Sequence, residues 1–177
     1  MKLFFGLALE PELALAIADW RDRQFGFSAR PVPVANFHIT LAYAGELSVL
    51  DSDILCEQVD SWHAKGKFRS GQLLLDQTGY WASPGIYWLG PAEATPALAS
   101  AAAKLDSLIA ARGTRPQRRK KFQPHITLFR QCEEAPPMPA QPPSFEFAYR
   151  SFSLFESRRL RQGVAYEELH SWPLLDA

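Results

Sequence analysis

Four histidines occur in the chain, and two of them open the same tetrapeptide: His38-Ile39-Thr40-Leu41 and His125-Ile126-Thr127-Leu128. Side chains alternate between the faces of a strand, so His and Thr at i and i+2 share one face, about 7 Å apart, and Ile and Leu share the other. Each copy reads as a short strand with an apolar face for a core and a second face carrying an imidazole and a hydroxyl. An imidazole titrates near neutrality and can give or take a proton. Two such strands side by side would surround a small anion with two imidazoles and two hydroxyls. A single histidine among aliphatic residues is ordinarily a hydrogen-bonded core or edge residue, and a single threonine is a good strand former with no further duty. The repetition favours chemistry. His63, in the last turn of an expected helix, and His170, with Trp172 where a threonine would stand, read as structural.

The segments around the motifs must hold these strands in place. Leu3 to Leu9 is apolar and is followed at once by Glu10-Pro11-Glu12, so it reads as a buried first strand. Pro11 opens a helix to about Gln24, with Leu13, Ala16, Ile17 and Trp20 at helical spacing and Arg21 and Arg23 suited to the negative end of its dipole. Ala29 to Val34 is a proline-stiffened lead into the first motif strand. Val49 to Lys65 reads as a second helix, stopped by Gly66. Phe68–Tyr80 and Gly85–Leu89 read as two strands joined at Trp81-Ala82-Ser83-Pro84. Thr95-Pro96 caps a third, alanine-rich helix that stops near Gly113. Phe145–Tyr149, Ser151–Glu156 and Val164–Trp172 are further strands, after an extended loop from Glu133 to Pro143 that holds five prolines.

The order predicts an α+β fold with largely antiparallel sheets. Both motif strands follow comparable strand-helix units, which predicts two lobes related by a pseudo-twofold around a central cleft, helices outside. No linker divides residues 1–177, so a single two-lobed domain is expected.

With 177 residues, 47% hydrophobic and 21% charged, the composition is that of an ordinary globular chain. Lys plus Arg and Asp plus Glu number 19 each, so net charge argues neither for nor against a polyanionic partner. No stretch is long enough to cross a membrane. Cys56 and Cys132 show no ligand or paired spacing; they read as free thiols in a reducing compartment, and no metal is expected. One local charge feature stands out. Six of the ten residues from Arg112 to Lys121 are basic, and the run leads straight into the second motif. Such runs are commonly solvated loops, but at the mouth of an anion site this one would concentrate phosphate. Arg118, Arg119, Lys120 and Lys121 are therefore candidate contacts to an RNA backbone.

The paired His-x-Thr-x motifs resemble the signature of the 2H phosphoesterases, and within them the RNA 2′,3′-cyclic phosphodiesterases, also called 2′-5′ RNA ligases. The likeness covers nearly the full length. It runs through Leu3-Phe4-Phe5-Gly6-Leu7, Asn36-Phe37-His38-Ile39-Thr40-Leu41, Ile86-Tyr87-Trp88-Leu89-Gly90, Phe122 to Arg130, and Ser151 to Ser157 with Gly163 and Tyr166. One departure is Phe129, where relatives often carry a small residue; it either narrows the substrate pocket or packs inward.

The resemblance implies two βαβ-like lobes and hydrolysis of a cyclic phosphodiester, with no cofactor. That chemistry needs a base for water and an acid for the leaving ribose oxygen, on opposite sides of phosphorus, and two imidazoles across a cleft supply both. Thr40 and Thr127 can donate to the non-bridging oxygens as charge builds there. By resemblance His38 is the proton donor, His125 the proton acceptor, and the product a 2′-phosphate; the residues alone leave the two roles interchangeable. The resemblance also places Arg130 on phosphate, yet Arg130 has the opposite parity to His125, so the strand must bulge or bend between them. Tyr43, Trp81 and Phe122 are candidates for base stacking, though core packing is the favoured reading for any single one of them. The expected substrates are RNA ends or nucleotides with a 2′,3′-cyclic phosphate, handled by a cytoplasmic monomer, with reverse 2′-5′ ligation secondary. Two rivals are a cyclic phosphodiesterase for a small nucleotide such as ADP-ribose 1″,2″-cyclic phosphate, and a non-catalytic RNA-binding module.

Overall fold

The computed structural model describes residues 1–26, 29–113 and 121–177. Arg118, Arg119 and Lys120 lie outside the described residues. The first unit runs β1 (Lys2–Ala8), α1 (Pro11–Gln24), β2 (Arg30–Pro31), a single 3-10 turn (Val34–Asn36) and β3 (His38–Glu46). Then come α2 (Val49–His63), β4 (Gly71–Leu75), β5 (Gln77–Trp81), β6 (Ile86–Gly90), α3 (Pro96–Ala110) and β7 (Ile126–Arg130). The chain closes with β8 (Phe145–Tyr149), β9 (Ser151–Leu160) and β10 (Gly163–Pro173). One four-stranded sheet has the order β10-β9-β1-β3, a second β2-β7-β6-β5, and β4 pairs with β8 alone. Among the described residues the pairings between these strands are antiparallel. The fold is α+β, as the order of elements predicts.

The helix ends follow the local chemistry. Ser48 and Thr95 cap α2 and α3 by accepting from the backbone N–H of Asp51 and Leu98, each such cap being worth about 1 kcal/mol. Pro11 fills the first position of α1, where a missing N–H costs nothing. In β1–α1–β3 and again in β6–α3–β7, the strand before the helix becomes the antiparallel neighbour of the motif strand after it. The helices are then exchanged. The α3 helix packs on β3 of the other sheet, while Phe25, just past α1, meets Tyr87 of β6 and Phe129 of β7 edge-on. The buried side chains accordingly form one cluster running from Leu3 to Leu174 through both sheets.

Two strand expectations need correction. Phe68–Tyr80 is two strands rather than one, broken at Asp76, because β4 pairs with β8 and β5 pairs with β6. At the other end, β9 and β10 run past Glu156 and begin before Val164, forming a long hairpin. Its tip is rich in arginine, so it lacks the apolar alternation by which a strand is read.

Candidate active site

Both motifs use the same backbone device. In β3 the pairing passes from Phe5↔Ala42 to Gly6↔Thr40, leaving Leu41 as an extra residue. In β7 it passes from Tyr87↔Phe129 to Trp88↔Thr127, leaving Leu128 extra. A bulge shifts parity by one, so Leu41 and Ala42 are both buried, as are Leu128 and Phe129. Tyr43 and Arg130 thereby rejoin the face of the motif His and Thr. The bulge that Arg130 requires is present, at equivalent positions of the two strands. Phe129 packs inward, 3% exposed, against Phe25 and Tyr87; it does not narrow the pocket.

The imidazoles are set by carbonyls two residues upstream. His38 Nδ1–H donates to the Asn36 carbonyl and His125 Nδ1–H to the Gln123 carbonyl, both at 2.8 Å. A carbonyl can only accept, so Nδ1 carries the proton in each ring and Nε2 is left as the working atom. For His38 the Thr40 hydroxyl donates to that Nε2 at 2.9 Å. The ring is enclosed by Phe4 and Tyr166, at centroid distances of 4.8 and 4.9 Å. Burial pushes the His38 pKa down to about 4; the Asn36 carbonyl opposes the shift, and the charges of His125 and Arg130 add to it. Arg130 lines the same cavity as the His38 ring. His125 stands instead against an indole wall, edge-on to Trp81 at 4.7 Å with Trp88 at 6.1 Å.

A cavity of about 460 Å³ opens over the first motif. His38, Thr40, Tyr43 and Arg130 line it, together with Phe4, Lys2, Arg30 and the hairpin residues Ser157, Gln162, Gly163 and Tyr166. His125 and Thr127 are beyond its lining. Of the aromatic candidates, Tyr43 lines the cavity, Trp81 backs His125, and Phe122 packs against the core. Lys121 is paired with Glu93 at 3.6 Å on an open surface. His63 and His170 are bound up elsewhere. His63 Nε2–H donates to the Pro173 carbonyl at 2.5 Å, and His170 Nε2 stands 3.8 Å from Asp60. Among the described residues no three His, Cys, Asp or Glu side chains gather to hold a metal ion, and no helix is long and apolar enough to cross a membrane.

Sequence reasoning missed Arg21. Its side chain is buried beneath both motifs, with the guanidinium 5.4 Å from the Phe37 ring centre and 5.5 Å from that of Phe129. Its Nη1 donates to the Val32 carbonyl at 2.6 Å and to the carbonyl of the bulge residue Leu128 at 3.4 Å. Asp22 pairs with its Nε at 2.8 Å. Arg21 thus joins the segment that leads into the first motif strand, through Val32 and Phe37, to the bulge of the second. Near a helix end an arginine looks like a dipole partner, and that reading hid its second role. Phe4, Trp88 and Tyr166 were missed as imidazole neighbours for a similar reason: they sit on other strands. The carbonyl pair was legible in principle, since Asn36 and Gln123 hold the same offset from the two histidines.

Comparison with known proteins bears on the family of the whole chain. Residues 89–166 match the family described as LigT-like phosphoesterase. The chain is 35% identical over 176 residues to the RNA 2′,3′-cyclic phosphodiesterase of Escherichia coli K12, covering 98% of this chain and 96% of the relative. It is 28% identical to the protein of that name from Thermus thermophilus, covering 98% and 90%. The solved structure of E. coli LigT complexed with 3′-AMP superposes with a TM-score of 0.88 at 33% identity, over 98% of this chain and 97% of that one. Two imidazoles presented by matched bulged strands, within a full-length likeness of this kind, place the chain in the LigT-like phosphoesterase family.

Proposed function

We propose that the protein hydrolyses 2′,3′-cyclic phosphodiesters at RNA ends or on nucleotides, leaving 2′-phosphomonoesters. The observation that carries this reading is the matched presentation of the two imidazoles, each with Nδ1–H fixed on a carbonyl and Nε2 left for proton transfer. His125 Nε2 takes a proton from water as the water oxygen bonds to phosphorus. The bond from phosphorus to the 3′ oxygen breaks on the opposite side, and His38 Nε2–H protonates that oxygen. Thr40, Thr127 and Arg130 stabilise the non-bridging oxygens, where charge builds in the transition state. The reverse attack by a 5′-hydroxyl would join two ends, and it is secondary because water is in large excess.

His38 must be protonated to donate, yet in the free protein its pKa is about 4. A bound phosphate anion supplies the missing charge: it favours the imidazolium and gives the Thr40 hydroxyl a better acceptor than Nε2. The donor is thus charged mainly when substrate is present. The chain works as one two-lobed monomeric unit, and unpaired Cys56 and Cys132 fit a reducing compartment such as the cytoplasm.

The test is turnover of an oligonucleotide ending in a 2′,3′-cyclic phosphate, with the product identified by phosphorus NMR. A 2′-phosphate is expected; a 3′-phosphate would reverse the assignment of the leaving oxygen, and an inert substrate would overturn the reading.

A further inference from the structure

Arg30 and Arg130 stand directly opposite each other where β2 pairs with β7. Side chains so paired start about 5 Å apart, and like charges there repel. Neither arginine has an ion pair among the described residues. Both line the 460 Å³ cavity, Lys2 lines it too, and no Asp or Glu does. Lys2 is opposite Glu46 in the β1–β3 register, but no ion pair joins them. Three cations therefore face one cavity with no carboxylate among its lining residues. Such an arrangement is stable when anions fill it.

One anion is not enough to account for all three. The reacting phosphate is supplied with Thr40, Thr127, Arg130 and two imidazoles. Arg30 reaches elsewhere: its Nη2 is 3.0 Å from where a Cβ would stand on Gly163, a residue held at φ +125° at the start of β10. The guanidinium of Arg30 therefore extends from β2 to the β9–β10 hairpin. A side chain at 163 would crowd it there, and would also be strained at that φ. The cavity leads the same way. Its lining includes His38 and Thr40 together with Ser157, Gln162 and Gly163 of the hairpin, and it has the volume of a nucleotide-sized site.

We propose that Arg30, assisted by Lys2, forms a second phosphate subsite, which takes the phosphate on the 5′ side of the nucleotide whose cyclic phosphate reacts. This rests on the function proposed above and adds a specificity to it. The enzyme then prefers an end that carries a neighbouring phosphate over a bare cyclic nucleoside.

Two measurements test it. The first is binding at fixed low salt, with adenosine 2′,5′-bisphosphate compared with 2′-AMP. The wild type should favour the bisphosphate by about tenfold or more; Arg30→Ala should bring the ratio near one, and Arg30→Lys should keep part of the preference. The second is kcat/KM for adenosine 2′,3′-cyclic phosphate, its 5′-phosphorylated form, and the dinucleotide ApA ending in the cyclic phosphate. An advantage for the dinucleotide that Arg30→Ala removes marks an RNA end as the ligand; one confined to the 5′-phosphorylated form marks a mononucleotide. If the wild type shows no preference, or Arg30→Ala lowers every substrate and ligand by the same factor, the subsite is overturned. If no cyclic substrate turns over, the proposed function fails, and the binding ratio still judges the subsite.

Discussion

The two motif strands share a backbone and differ in everything packed around it. Opposite Thr40 the neighbouring strand carries Gly6; opposite Thr127 it carries Trp88. Around His38 the space is closed by Phe4 and Tyr166, and Thr40 binds its Nε2. Around His125 the neighbours are Trp81 and Trp88, with the indole of Trp88 lying on Gly79, where a Cβ would come within 2.2 Å of the ring. After the bulge one strand presents Tyr43 and the other Arg130. One backbone device repeated twice thus delivers two imidazoles, each with Nδ1–H held on a backbone carbonyl, into unlike surroundings. The enclosed one resists protonation, and the arginine sits on the other strand. Different surroundings on a common frame are how one residue type is set to opposite proton-transfer tasks.

Removing either imidazole should break the comparison most severely. His38→Ala and His125→Ala should each lower kcat by on the order of 10²–10⁴, the usual worth of a positioned acid or base. The double variant should be scarcely worse than the poorer single one, because the two act as a unit. Single-turnover rates on a cyclic-ended oligonucleotide measure this. Full activity in either single variant would show that the repetition has no catalytic meaning. Thr40→Val and Thr127→Val keep shape and strand propensity while deleting the donor, and kcat should fall by roughly 10²-fold or somewhat less. Because Thr40 also binds His38 Nε2, only Thr40→Val should in addition move the His38 titration.

Arg21 ties the two halves together, so its loss should be felt in both. Arg21→Met leaves the carbonyls of Val32 and Leu128 short of a donor, at about 1–3 kcal/mol for each buried group left unmatched. Val32 N–H still serves Leu128, at 2.9 Å, which puts the cost toward the lower end. At roughly 2–4 °C per kcal/mol for a chain of this size, Tm should fall by about 4–10 °C. A loss of kcat at a temperature where the variant is fully folded would show that the Leu128 bulge, and Arg130 with it, needs this support. Unchanged kcat would confine Arg21 to stability.

The pH dependence of stability should single out His38. Its folded pKa of about 4 lies below the ordinary 6.5, so between those values the unfolded chain binds a proton that the native protein refuses. Stability from this group is fully present above pH 6.5 and is lost as pH falls toward 4, by on the order of 3 kcal/mol in all. Denaturant titrations of wild type and His38→Gln should therefore diverge on going from pH 5 to pH 7, the wild type gaining more. Nitrogen NMR of the same ring should show its titration rise toward neutrality when 2′-AMP is bound. A ring that stays neutral in the complex would make His38 the base and exchange the two roles.

The sequence revealed the frame better than the surroundings, and the reason is physical. Pro11 and Thr95-Pro96 act locally, so α1 and α3 could be placed within a residue or two of their observed starts. The motif strands were legible because alternation is also local, and the phosphate contact implied for Arg130 by resemblance, set against its parity, called for a bulge. The enclosure of His38 by Tyr166 of β10 depends on the pairing of β1 with β9, segments more than a hundred residues apart, which no local pattern carries. The hairpin tip that completes the cavity was missed because Arg158, Arg159 and Arg161 conceal its strands.

The smallest effect should come from Tyr43, the counterpart of Arg130. Both lie one step beyond a bulge and both line the cavity, yet only the arginine carries a charge that can answer the phosphate. Arg130→Ala should weaken the binding of 2′-AMP strongly and, by removing a positive charge, let His38 protonate at higher pH. Tyr43→Phe removes only a hydroxyl and keeps the ring, so kcat should fall by no more than about tenfold, since a single neutral hydrogen bond contributes about 0.5–1.5 kcal/mol. Tyr43→Ala distinguishes what the ring does. If the ring stacks on a base, KM for a cyclic mononucleotide rises several-fold, in keeping with the lower end of the roughly 1–3 kcal/mol that stacking contributes, while kcat holds. If the ring merely fills the wall of the cavity, Tm falls and KM does not move. A loss of kcat in Tyr43→Phe as large as that in Arg130→Ala would mean that the two strands are functionally symmetric after all, and that the phenol, like the guanidinium, touches the reacting phosphate.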